Sequence, residues 1–155
     1  MEYDRDNKLS AAQMLELRGR LVYLKKMDRQ YEKEYIAVMG NSDLEARTGT
    51  GTSQLFTGAD LIAHMDRVAG DGSRIDLLIF SLSDHQLVGE VVLADLDPVH
   101  RSAHLRIVIA QQADRNRGFG AEALLLALHY GFGMRQLHRI ELEALARQPA
   151  CHTAI

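Results

Sequence analysis

The chain has 155 residues, of which 46% are hydrophobic and 25% charged, ordinary proportions for one globular domain with a core of its own. Eighteen basic against twenty-one acidic side chains leave a net charge of −3, without the basic excess of a nucleic-acid binder. No apolar run approaches the roughly 18 residues that cross a bilayer, and the single cysteine, Cys151, excludes an internal disulfide.

Residues 1–17 are polar and predict an N-terminal arm, in which Ser10-Ala-Ala-Gln13 has the form of a capping box for a short helix. The first residues carry no apolar signal region. Together with one unpaired cysteine this predicts a cytoplasmic protein. Leu21 to Leu24 reads as a first strand. Asp28 then caps a helix with Tyr31, Tyr35, Ile36 and Met39 on one face. Gly40 to Gly58 is rich in Gly, Ser and Thr and predicts a loop. Thr57-Gly-Ala-Asp60 opens a second helix, with Leu61, Ile62, Met65, Val68 and Ala69 as its apolar set.

Ile75 to Phe80 is apolar on both faces, as a central strand is. Ser83-Asp-His-Gln86 predicts a hairpin turn into a strand from Leu87 to Asp95. Asp97-Pro98 breaks that strand, and Ser102 to Ala110 returns antiparallel to it. A polar loop follows, Gln111 to Arg117, and then a helix with apolar positions at Ala121, Leu124, Leu125, Leu128 and Phe132. His138 to Glu143 is a last strand, and residues 146–155 read as an irregular tail. The sum is a single α/β domain with a mixed, mostly antiparallel central sheet flanked by helices.

The loop before the long helix is the most informative stretch. Gly118 and Gly120 stand at a helix start, where backbone N–H groups lack partners and the dipole favours an anion. Arg115 and Arg117 add charge-assisted donors. These features predict a phosphate site. A Walker loop needs Gly-Lys-Ser/Thr, whereas Ala121 and Glu122 follow Gly120 here. Gly118-Phe-Gly120-Ala-Glu-Ala123 fits the dinucleotide fingerprint, with Glu141 about twenty residues on. That fold places its first glycine directly after the strand and needs further βα units.

Arg115-Asn116-Arg117-Gly118-Phe119-Gly120 resembles the Gln/Arg-x-x-Gly-x-Gly/Ala signature of the GNAT superfamily of N-acetyltransferases. Strand, signature, helix and the strand His138-Arg-Ile-Glu-Leu-Glu143 come in that family's order. The wording is closest to the branch that acetylates protein N-termini, ribosomal proteins included, and the resemblance covers about Arg18 to Leu145. It implies acetyl-CoA as donor, its pyrophosphate on Arg115, Asn116, Arg117, Gly118, Phe119, Gly120 and Ala121. It also implies that the backbone of Ile107, Val108, Ile109 and Ala110 carries the pantetheine arm and faces the thioester. The acceptor would be a primary amine, such as a protein or peptide N-terminal α-amine. A non-catalytic CoA-binding or assembly protein and a dinucleotide-binding protein are the alternatives. After its fifth strand the family continues with an Asn-x-x-Ala helix carrying a tyrosine, and with two more strands. Ala146 to Ile155 does not match them, so a C-terminally truncated fold is expected. Such a fold leaves an open sheet edge, for which a homodimer is the expected remedy.

Acetyl transfer also needs a base for the amine. Glu90, inside the apolar strand Val88-Gly-Glu-Val-Val-Leu93, either faces solvent or serves a cleft, and Gly89 beside it would let a ligand approach. Asp95 and His104 are weaker candidates. His100 and His104 lie four apart on a strand, a spacing that does not converge on a metal, and no metal is expected. A Gly-x-Ser-x-Gly elbow is absent. Tyr130 and Phe132 follow the helical stripe and read as core, and Cys151 as a bystander.

Overall fold

A computed structural model describes residues 15–40 and 57–142. Six strands form one sheet in chain order: β1 Glu16–Arg18, β2 Val22–Lys26, β3 Ile75–Ser81, β4 Leu87–Asp97, β5 Ser102–Ile109 and β6 Arg139–Leu142. Each neighbouring pair is antiparallel except β5 with β6. Two parallel neighbours need a crossover, and here it is the helix Phe119–His129. The remaining helices, Glu32–Met39 (α1) and Gly58–Ala69 (α2), lie between β2 and β3 in sequence, so the crossover helix is α3. The expected mixed, mostly antiparallel α/β sheet is what the chain forms. Among the described residues β5 and β6 are the one parallel pair, unlike the doubly wound dinucleotide fold, which stacks successive parallel βαβ units.

The local signals act where the sequence places them. Asp28 accepts the N–H of Gln30 at 2.9 Å and caps a 3-10 turn, Arg29–Tyr31, that leads into α1. Thr57 and Asp60 close a reciprocal capping box at the start of α2, at 3.0 and 3.2 Å. β1 is an addition, formed by residues that composition assigns to a polar arm. Leu21 lies in the β1–β2 turn, 42% exposed, and the strand begins only at Val22. The Ser10–Gln13 capping box, the Gly and Thr-rich loop interior and the tail fall outside the described residues.

Strand alternation divides the core in two. Val22, Leu24, Leu77, Ile79, Val91, Leu93 and Leu105 face α3. Tyr23, Leu78 and Phe80 face α1 and α2 through Tyr35, Met39, Leu61 and Met65. β3 is buried along its whole length, which is why it reads apolar on both faces.

The buried face of α3 differs from the expected stripe. Phe119, Ala123, Leu124, Ala127 and Tyr130 face the sheet, whereas Leu125 is 63% and Phe132 47% exposed. Phe132 is therefore not core. For Phe132 the cause is local: from Tyr130 to Met134 the helix widens into a π turn, which breaks the 3.6-residue period there. Leu125 lies in the regular helix, on the side away from Ala123, Leu124 and Ala127. Among the described residues no helix is long and apolar enough to cross a membrane.

Candidate active site

The loop between β5 and α3 bends by two left-handed residues, Asn116 at φ 60° and Gly118 at φ 84°. Gly118 is the N-cap, and its carbonyl accepts the N–H of Glu122 at 3.1 Å. No partner among the described residues takes the N–H of Asn116, Arg117 or Gly118. With the free first-turn amides of α3, they form a row of unspent donors. The two arginines differ. Arg117 stacks 4.6 Å from the Phe119 ring centroid and pairs with Asp114 at 3.3 Å. Arg115 is partly buried, and its Nε and Nη2 are shielded from water without a partner among the described residues. Shielded guanidinium donors left unpaired are costly. They point to an anion as the missing acceptor.

The glycines do not share one role. At Gly118 the positive φ excludes most side chains, and an added Cβ would also crowd Leu21 Cδ1 at 3.1 Å. At Gly120 a Cβ would stand 3.6 Å from Ile109 Cγ1, an ordinary contact. Gly89, expected to open a way for a ligand, instead admits β5. A Cβ there would meet the Val108 carbonyl oxygen at 2.0 Å, beside a bulge in the β3–β4 register.

Upstream of the loop, β5 pairs with β6 only from Ser102 to Leu105. Arg106 to Ile109 bond to β4 on one side, and among the described residues they have no strand on the other. Among the described residues, Ile107, Val108 and Ile109 thus have a backbone edge that no strand covers, leading into the loop. Ala110 is fully buried and gives its N–H to the Val88 carbonyl at 2.9 Å, so its amide is already committed within the sheet.

Glu90 stands opposite Val108 in the β4–β5 register. It is partly buried, and Oε2 accepts the Tyr35 hydroxyl at 3.1 Å. Burial, reinforced by the charge of Asp76, lifts its pKa to about 7, against the pull of Tyr35, Arg74 and Arg106. The carboxylate thus lies partly buried beneath α1 rather than fully in solvent. Asp76, only 4% exposed, holds Arg74 through two bonds of 2.7 and 2.8 Å.

Residues 22–154 match the family described as Acetyltransferase (GNAT) domain. This chain is a member of the GNAT acetyltransferase family. A spermidine N(1)-acetyltransferase of Vibrio cholerae is 35% identical over 72 residues, a stretch that is 45% of this chain and 41% of that enzyme. The crystal structure of a spermidine N-acetyltransferase from Vibrio cholerae, in complex with CoA and spermine, superposes with a TM-score of 0.73 at 20% identity. It covers 86% of this chain and 76% of that one. A GNAT-family acetyltransferase from Bacillus anthracis gives 0.74 at 18% identity, over 90% and 80% of the two chains. A Vibrio cholerae structure whose name proposes a ribosomal-protein-serine acetyltransferase gives 0.74 at 14% identity, over 92% and 80%. At these identities the structures establish a shared fold.

For a GNAT member the fit to acetyl-CoA can be tested on the molecule itself. The unspent loop amides and the two orphaned Arg115 nitrogens suit a pyrophosphate, and the free β5 edge suits an amide-bearing arm. On the face of the sheet shared with Glu90, a cleft of about 420 Å³ is lined by Arg74, Asp95, His104, Arg106 and Glu141 among others. The weaker base candidates, Asp95 and His104, lie there. His104 Nε2 is 3.6 Å from Glu141, and Asp95 is held at φ 52° where the β4–β5 register breaks. His100 is an exposed partner of Asp97. Sequence reading misses three residues: Tyr35, which has the helical spacing of a core residue; Asp76, a lone acid in an apolar strand; and Glu122, whose Oε1 accepts the backbone N–H groups of Leu21 and Val22 beside the loop. Only Asp76 carried a signal that composition could have raised.

Proposed function

We propose that this GNAT member transfers an acetyl group from acetyl-CoA to a primary amine. Arg115 to Ala121 hold the pyrophosphate, the Ile107–Ile109 edge and Ala110 line the path of the arm, and Glu90 is the general base. The observation that carries the reading is the pair of shielded, unpartnered donors on Arg115, set beside free loop amides. Bound there, acetyl-CoA supplies the reactive acetyl thioester and a thiolate leaving group. Glu90, one strand from that path, takes a proton from the acceptor ammonium at a carboxylate oxygen. The freed nitrogen lone pair then forms the N–C bond as the C–S bond breaks. The nitrogen gives up its second proton as the thiolate gains one, so the sum releases the single proton that Glu90 took. A base with a pKa near 7 is well matched to neutral pH.

The acceptor is taken from two directions. Relatives whose names specify spermidine support a polyamine. The N-terminal acetyltransferase wording of the sequence supports a protein or peptide α-amine. A cytoplasmic setting and pairing of two copies complete the proposal. They are supported by the lone cysteine and by the family's frequent dimers, and light scattering at micromolar concentration checks the second.

Isothermal titration with acetyl-CoA and CoA, followed by thiol release with spermidine, N-terminal peptides and aminoglycosides, tests the reading. Failure to bind either nucleotide at millimolar concentration overturns it. Binding without thiol release from any acceptor would favour a non-catalytic CoA-binding protein.

A further inference from the structure

The register of β3, β4 and β5 sets Leu78, Glu90 and Val108 in one row across the sheet, and Asp76, Val92 and Arg106 in the next row on the same face. Asp76 and Arg106 are therefore diagonal neighbours of Glu90, roughly 7–8 Å away. Each element packed on Glu90 brings a group to it. β3 brings Asp76 with its partner Arg74, β5 brings Arg106, and α1 brings Tyr35. His64 of α2 shares the neighbours Asp76, Arg74 and Arg106. Of all these, only Tyr35 bonds the carboxylate directly.

Tyr35 is 2% exposed. A phenol buried so deeply must find an acceptor, and Glu90 Oε2 is the one it has. Burial and the Glu90 charge push the pKa of Tyr35 upward, so it remains a donor at every pH of interest. Glu90 thus stands between a repelling carboxylate on the neighbouring strand and a permanent donor on the covering helix. The ring of Tyr35 is wedged among Met39, Leu61, Met65 and Leu78, which limits where its hydroxyl can point.

We propose that Tyr35 is a positioning residue for Glu90: its hydroxyl fixes one orientation of the carboxylate and favours its charged form against Asp76. The inference rests on the reading of Glu90 as base, and the experiment separates the two.

The full chain is labelled with 13C-glutamate and its side-chain carboxyl carbons are titrated by NMR. The Glu90 resonance is identified by its absence in Glu90→Gln. In the parent protein its midpoint is expected at about 7. In Tyr35→Phe, which keeps the buried ring and so the fold, the midpoint is expected to rise by roughly one to two units, the worth of one hydrogen bond to a charged group. The acid limb of kcat/KM for whichever panel amine turns over should move with it, while acetyl-CoA affinity stays unchanged. An unmoved Glu90 midpoint in Tyr35→Phe overturns the positioning role. Retained turnover in Glu90→Gln overturns the base reading, whatever Tyr35 does.

Discussion

Glu122 Oε1 accepts two backbone N–H groups from the β1–β2 turn, that of Leu21 at 2.8 Å and that of Val22 at 3.2 Å. The carboxylate sits in the first turn of α3, where the dipole favours it. One side chain thus joins the helix that follows the Gln111–Arg117 loop to the start of the sheet. Gly19 is part of the joint, since a Cβ there would lie 1.7 Å from the same oxygen. Glu122→Ala is expected to cost roughly 1–3 kcal/mol in urea denaturation, because the Val22 N–H is left without an acceptor. Gly19→Ala should break the same contact, so the double variant is expected to lose clearly less than the two single losses added together.

Arg115→Ala should separate binding from folding. Its Nε and Nη2 have no partner among the described residues, so relief of those unpaired donors should leave the unfolding free energy no lower than the parent's, and higher by up to roughly 1–3 kcal/mol. CoA affinity measured by calorimetry should fall by roughly 1.5–3 kcal/mol, the value of a charge-assisted bond to phosphate.

Alanine at the two loop glycines should act unequally. Gly118→Ala forces a Cβ onto φ 84° and against Leu21, at an expected cost of roughly 1–2 kcal/mol in thermal or urea unfolding. Gly120→Ala meets only an ordinary contact inside a helix and should be neutral or stabilising by up to about 1 kcal/mol. Equal losses at both sites would contradict the loop geometry.

Glu90 should make the protein less stable as pH rises. Its folded pKa of about 7 lies above its ordinary value of 4.5. Between those values the folded chain keeps a proton that the unfolded chain gives up. Stability is therefore lost across that window and is level above it. Glu90→Gln, which cannot ionise, should exceed the parent by roughly 1–3 kcal/mol above pH 7, with the difference gone below about pH 4. Denaturation curves at pH 4, 5.5 and 8 check this, and a pH-independent difference would contradict it.

The face that α3 turns inward can be tested with two side chains. Leu124 is 3% exposed, and Leu124→Ala should cost about 2–5 kcal/mol. Phe132, 47% exposed beyond the π turn, should tolerate Phe132→Ser within about 0.5 kcal/mol. Chemical denaturation of both variants compares them directly.

Composition, periodicity and punctuation determined the elements and their order. The Asp28 and Thr57 caps, the doubly apolar run at Ile75–Phe80 and the break at Asp97-Pro98 are local signals. They act through a few neighbouring residues, and the fold uses each where it stands. The bend of the loop before α3 was legible for the same reason, since its left-handed turns follow from a short run around Gly118. The surroundings of Glu90 were not. Tyr35 lies 55 residues away in sequence, with the spacing of a core residue, and its hydroxyl meets Glu90 only once α1 packs on the sheet. Glu122 reaches a turn 101 residues away. Gly89 serves the Val108 carbonyl rather than a ligand, because strand register, which no single segment encodes, sets that approach. A pattern along the chain can mark a side chain as buried or polar. Which partner it meets, and so its protonation, depends on elements brought together by tertiary packing.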